Sequence, residues 1–320
     1  MDTPAAAPAP RPDDGLDTGL AAFLAHLAIE RQASPHTLDA YRRDLGALRG
    51  WAAARGHAGW SALDGPALRA FVADEHARGL APASVQRRLS ACRALLRWLL
   101  KHGVLAADPS AGLRGPKAPR KLPQVLDADE MGQLVAVPQD VPLGLRDRAM
   151  LELFYSSGLR VSELCALRWG DLDLAAAEVR VLGKGRKTRV VPVGRFAREA
   201  LAAWAAACVV AADNGASKPA AGMAARPVFP GRGEAPISPR AVQKRVRELA
   251  LRQGVWKRVH PHLLRHSFAS HVLESSGDLR GVQELLGHAS IATTQIYTHL
   301  DFQHLAKVYD GAHPRAKRRS

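Results

Sequence analysis

Four prolines crowd one short stretch of this 320-residue chain: Pro109, Pro116, Pro119 and Pro123, all within residues 105–125. Proline has no N–H to donate and its ring clashes with the preceding turn, so neither a helix interior nor a central strand runs through here. Lys117, Arg120 and Lys121 stand among the prolines, and the stretch reads as an extended, basic linker. Apolar residues must then be buried in two separate places, and the chain is long enough for two cores. The expected division is a flexible Ala- and Pro-rich lead (1–15), a helical domain (16–104), the linker (105–125), a second domain (126–300) and a short apolar segment with a basic tail (301–320).

Before the linker the apolar residues recur at helical spacing. Leu20, Phe23, Leu24 and Leu27 make one stripe, and Ser34-Pro35 is an N-cap followed by proline at the first helical position. Leu38, Tyr41, Leu45 and Leu48 continue that second helix. A third runs from about Pro66 through Leu68, Phe71 and Val72 to Gly79. The fourth starts near Ser84, turns Val85, Leu89, Cys92, Leu96 and Leu99 inward, and ends before Gly103. Its other side carries Arg93, Arg97 and Lys101, with Arg87 and Arg88 nearby. A stripe so uniformly positive favours phosphate contact over a merely solvated face.

After the linker, Asp127 and Glu130 form a capping-box start, and Ala149, Met150, Leu153 and Phe154 line a helix that ends at Gly158. Arg160 falls in the next turn, where Ser162 is expected to cap the following helix. Glu178–Leu182 and 188–193 alternate as two strands around a Gly-Lys-Gly-Arg-Lys hairpin with Lys184 at its tip. A helix with Phe196, Leu201, Trp204 and Cys208 follows, then a mobile loop over 211–227. Ser238-Pro239 opens a helix with Val242, Val246 and Leu249 inward and Arg240, Lys244 and Arg247 outward. The next helix carries Leu264, Phe268 and Val272, and another, with Leu279, Val282, Leu285 and Leu286, stops at Gly287. The predicted fold class is mainly α with a small antiparallel β-sheet.

Lys and Arg total 45 against 30 acidic residues, a formal charge of +15, which makes nucleic acid the leading partner. Cys92, Cys165 and Cys208 are odd in number and far apart, so they suit buried thiols in a reducing compartment rather than disulfides or a CxxC site. No apolar run approaches the ~18 residues of a membrane span, and the lead lacks a signal peptide's charged start and apolar stretch. A cytoplasmic, nucleoid-associated protein is expected.

Six residues carry candidate chemistry: Arg160, Lys184, His262, Arg265, His288 and Tyr297. His262 and Arg265 stand three apart in a helical pattern and share one face. Each residue has a plainer explanation: Arg160 could pair with Glu163, Lys184 could be a solvated turn residue, His262 a satisfied core histidine and Tyr297 a core aromatic. Together they supply what attack on a phosphodiester requires: cations, imidazoles and a phenol. Rival motifs fail on identity. Gly183-Lys184 is not a phosphate-cradling P-loop, since residue 178 is Glu and residue 185 is Gly. His262 and His266 have zinc-helix spacing, but Leu263 stands where a metalloprotease has its Glu, and no Asp/Glu cluster suggests a two-metal nuclease. No metal or cofactor is expected.

The six residues in this order resemble the tyrosine recombinases, the integrase family. The matching segments are SSGLRVSEL around Arg160, LGKGRKTR around Lys184, HPHLLRH with His262 and Arg265, LLGH at His288 and TTQIYTH at Tyr297. The resemblance spans roughly residues 16–316; the long 211–227 loop and the Ala-rich lead depart from it without touching a motif. It implies a SAM-like core-binding domain before the linker and an α/β catalytic domain after it. It further implies that Tyr297 attacks the scissile phosphorus to leave a 3′-phosphotyrosyl link, while Arg160 and Arg265 clamp the non-bridging oxygens. Lys184 would protonate the leaving 5′-oxygen, His262 would handle the tyrosine proton, and His288 would hydrogen-bond the phosphate or buttress the site; the sequence does not decide which histidine moves the proton. Double-stranded DNA is the implied substrate, handled through a Holliday junction by a heterotetramer with a related recombinase, under a DNA translocase. DNA contact is expected from Arg87, Arg88, Arg93, Arg97, Lys101, Lys117, Arg120, Lys121 and Lys244. Two alternatives share the scaffold: a non-catalytic DNA-binding protein, which would carry substitutions among the six, and a type IB topoisomerase, which would relax DNA unaided.

Overall fold

The computed structural model describes residues 13–116, 124–141, 143–183, 188–213, 222–233, 235–278 and 281–282. The chain forms two compact units, Met1–Lys121 and Leu122–Ser320.

In the first unit, α1 (Leu16–Ile29), α2 (Pro35–Ala54), α3 (Gly65–Ala77) and α4 (Pro82–Lys101) enclose one apolar core. Phe23, Leu45, Leu48, Leu68, Phe71, Leu89, Cys92, Leu95, Leu96 and Leu99 are buried in it. Helix starts follow the expected chemistry: the Ser34 hydroxyl accepts from the Thr37 N–H at 3.2 Å, and the Asp64 carboxylate from the Ala67 N–H at 2.8 Å.

The positive stripe of α4 divides in a way that periodicity alone does not reveal. Arg97 and Lys101 are exposed. Arg88 is turned inward instead, its side chain 17% exposed, between the buried carboxylates of Asp44 (3.7 Å) and Glu75. Arg87 also pairs with Asp44, and Arg93 donates to the Leu113 carbonyl. Two buried carboxylates need a cation, since an unpaired buried charge costs several kcal/mol. Arg88 is therefore a counter-ion shared by α2 and α3, with little of its side chain left at the surface.

The second unit is built on α6 (Gly144–Ser157), whose residues Ala149 through Ser157 are all buried. Before it comes α5 (Ala128–Val135), opened by the expected capping box: the Glu130 N–H donates to Asp127 at 2.8 Å and the Asp127 N–H to Glu130 at 2.9 Å. Then follow α7 (Val161–Ala166), a three-stranded antiparallel sheet in the order β1 (Leu172–Asp173), β2 (Glu178–Leu182), β3 (Thr188–Pro192), and α8 (Arg195–Asp213), α9 (Pro239–Arg252) and α10 (Pro261–Ser276). The register pairs Val179 with Val191 and Val181 with Arg189. Val179, Val181 and Val191 face the core.

Three local expectations change. β1 is too short to show alternation. Ser162 makes no cap; the α7 N-terminus is closed by Glu163, which accepts from the Arg160 N–H. The expected mobile stretch begins inside α8 and ends in a tied segment, where Pro227 bridges to Arg168 and the Trp204 indole donates to the Val228 carbonyl at 2.8 Å.

Candidate active site

The site begins where α6 stops. Gly158 takes a left-handed conformation (φ +54°), which an L side chain adopts only with strain, and its N–H caps Phe154. Its carbonyl points away and accepts from the Arg265 guanidinium of α10. Two residues on, Arg160 is the N-cap residue of α7. One tight turn thus fixes two guanidinium groups that lie 105 positions apart in the sequence numbering (160 and 265).

Glu163 sits at the centre, its side chain 3% exposed. It accepts from the Arg160 N–H at 2.8 Å and from the Arg160 Nη1 at 2.7 Å. From β3, Arg189 grips the same carboxylate with both prongs, Nη1 to Oε1 at 2.7 Å and Nη2 to Oε2 at 2.9 Å. Burial alone would push the Glu163 carboxyl up, but hydrogen bonds from Arg189 and Arg160 outweigh it and hold the group at about 2. Arg265 responds in the opposite way. Burial, then the positive charges of Arg160 and Arg189, bring it down to about 10, with Glu163 opposing. It stays protonated at neutral pH. Three guanidinium groups face one carboxylate, so the cluster carries excess positive charge in a partly desolvated place, and an anion entering it would be held strongly.

His262 lies on the first turn of α10 and is exposed, 6.4 Å ring to ring from His260. His260 is the N-cap residue, its Nδ1 accepting from the Leu263 N–H at 3.1 Å. Burial, then His262 and Arg258, lower the His260 pKa. Below the first turn, α10 is anchored by Leu264, Phe268 and Val272, all buried, and by the Ser267 hydroxyl, which accepts from the Leu126 N–H at 2.8 Å.

Of the six predicted residues, Arg160, His262 and Arg265 are described, and the first and last of these converge on one cluster. Lys184, His288 and Tyr297 lie outside the described residues, as do Lys117, Arg120 and Lys121. Lys244 is 79% exposed on α9, 3.8 Å from Glu248. Among the described residues no group of three or more His, Cys, Asp or Glu could hold a metal ion, and no helix is long and apolar enough to cross a membrane. The residue that sequence reasoning overlooked is Arg189. The signal was present: strand alternation places it on the face of Val191, and a cation on an inward strand face requires a partner.

Residues 124–304 match the phage integrase family, and residues 20–103 match the phage integrase N-terminal SAM-like domain. The tyrosine recombinase XerC of Xanthomonas campestris pv. campestris is 67% identical over 308 residues, which is 95% of this chain and 92% of that protein. XerC of Pseudomonas aeruginosa is 56% identical over 303 residues, 94% of this chain and 96% of that one. Among solved structures, the fold is shared with XerH site-specific recombinase bound to palindromic difH substrate (TM-score 0.64, 21% identity, covering 91% of this chain and 82% of that one). It is also shared with the Tn1549 transposon integrase in complex with transposon right end DNA (TM-score 0.70, 14% identity, 91% and 97%). The chain belongs to the phage integrase family, the tyrosine recombinases.

Proposed function

We propose that the chain is a site-specific DNA recombinase that cuts and rejoins duplex DNA through a 3′-phosphotyrosyl intermediate on Tyr297. The observation that carries this reading is the guanidinium cluster, in which Arg160 and Arg265 are brought together by the turn at Gly158. A pentavalent phosphorane carries more negative charge on its non-bridging oxygens than the ground-state diester. Preorganised cations therefore stabilise it preferentially, and planar guanidinium forks match its oxygens better than point charges. Covalent capture on tyrosine conserves the phosphodiester energy, so rejoining needs no nucleotide cofactor. Lys184 protonates the leaving 5′-oxygen, His262 takes the tyrosine proton, and His288 hydrogen-bonds the phosphate.

Likeness to the XerC proteins extends the proposal. The chain acts with a XerD-like recombinase in a heterotetramer, passes through a Holliday junction, and resolves chromosome dimers at cell division under a DNA translocase such as FtsK. This places it in the cytoplasm with the nucleoid. Contacts to DNA phosphates are assigned to Arg87, Arg88, Arg93, Arg97 and Lys101 of α4, to Lys244 of α9, and to Lys117, Arg120 and Lys121 of the linker.

The test is a nicked suicide duplex carrying a dif-like site, incubated with and without a XerD-like partner. The wild-type chain forms an adduct that survives denaturation, and Tyr297→Phe binds the duplex without forming one. An adduct in Tyr297→Phe overturns the assignment. Relaxation of a supercoiled plasmid by the chain alone would point to a topoisomerase instead.

A further inference from the structure

Arg189 closes the segment LGKGRKTR without being one of the six candidate residues, yet it grips the carboxylate at the centre of the cluster. On β3 it is paired with Val181 and shares the face of Val191, which is buried. Its side chain is 17% exposed. Both prongs of its fork are committed to Glu163, and its Nε is buried with no hydrogen-bond partner among the described residues. An apolar residue would suit this inward position on the sheet as well, so the two-pronged pair asks for a role beyond burial. The other half of the Glu163 carboxylate's bonding goes to Arg160: Oε1 accepts at 2.7 Å from Nη1 of both arginines. The carboxylate is thus a hinge pin with one guanidinium on each side.

We infer that Arg189 is a positioning residue for strand cleavage: it locks the plane of the Glu163 carboxylate, which in turn aims Arg160, and it adds a permanent positive charge beside that residue. The inference rests on the recombinase reading above. Without Arg189, the hydrogen bonds to the Glu163 carboxylate come from Arg160, and the carboxylate draws that guanidinium toward itself, away from an incoming phosphate. Lysine would restore the charge but not the two-pronged lock.

The experiment is single-turnover cleavage of two suicide duplexes, one with the natural scissile phosphate and one with a methylphosphonate, whose missing negative charge removes the need for a clamping guanidinium. Tyr297→Phe and Arg160→Ala serve as reference variants. Arg189→Gln is expected to slow cleavage of the phosphate about 10- to 100-fold, the scale of one charge-assisted contact. On the methylphosphonate it should fall within about threefold of wild type, as Arg160→Ala does. A purely architectural role would depress both substrates equally and leave their ratio at the wild-type value, which overturns the inference. Should Arg189→Gln not fold, Arg189→Lys is run on the same pair, and a ratio raised above wild type supports the lock while an unchanged ratio overturns it. If instead Tyr297→Phe still forms an adduct, it is the recombinase reading that fails.

Discussion

Glu163→Gln is the perturbation whose size follows most directly from the geometry. The carboxyl is held at about 2, against an ordinary 4.5, and its side chain is 3% exposed, so solvent screening takes little from the effect. A carboxyl displaced that far contributes about 3 kcal/mol to folding at neutral pH. Because the folded value lies below the unfolded one, the contribution is complete above pH 4.5 and disappears as pH falls through about 2. Glutamine mimics the protonated acid in shape, presents one acceptor in place of two, and leaves three guanidinium groups uncompensated. Denaturant unfolding of wild type and Glu163→Gln, followed for the transition of the second unit, should differ by about 3 kcal/mol at pH 7 and by less than half of that at pH 3. A difference below about 1 kcal/mol at pH 7, or one that stays constant between the two pH values, would refute the claim that an ionised, doubly clamped Glu163 organises the cluster.

Other outcomes follow from the same structure. Arg88→Ala should destabilise the first unit by about 1–3 kcal/mol, because it removes the cation shared by two buried carboxylates and leaves Asp44 with Arg87 and Glu75 with Arg78 alone; Arg97→Ala should leave the melting temperature unchanged and reduce the salt dependence of DNA binding by about one counterion. Equal thermal effects of the two would show that the stripe was not divided as described. Lys184→Ala should slow cleavage of ordinary DNA, yet cleave nearly as wild type when the 5′-leaving oxygen is replaced by sulfur, which needs no acid; absence of that rescue removes Lys184 as the acid. The likeness to the recombinases assigns the apolar segment within 301–320 to docking on a neighbouring subunit; deleting residues 301–320 should then weaken cooperative assembly on DNA more than binding to a single half-site, as gel-shift titrations would measure, and equal losses would reject that role.

Local chemistry was readable at most places where a short-range rule governed it, the expected Ser162 cap excepted. Ser34, Ser238 and the Asp127–Glu130 pair announced helix starts because a cap is settled within four residues. The two long strands were readable by alternation, whereas β1 offers only Leu172 and Asp173. What escaped depends on partners distant in the chain. Arg88 lies on a helix face that looks uniformly basic, and nothing nearby signals that Asp44 of α2 and Glu75 of α3 wait on its inner side. The site divides in the same way. Arg160 and Arg265 were legible from motif context, and so was a Glu163 partner for Arg160. Strand alternation marked Arg189 as a cation in need of a partner, but naming Glu163 as that partner requires knowing that the sheet lies against α7. The plainer explanation weighed for Arg160, a pair with Glu163, is present in the structure and is compatible with a clamping role, since Glu163 also aims the guanidinium.

The most direct measurement of the central claim is peptide mapping of the covalent product trapped on a suicide duplex. After nuclease trimming and proteolysis, mass spectrometry should place a nucleotide 3′-phosphate on Tyr297. Attachment at Tyr309, a second phenol 12 positions further along the chain, or at any other residue, or a stable 5′-phosphate linkage, would contradict the account.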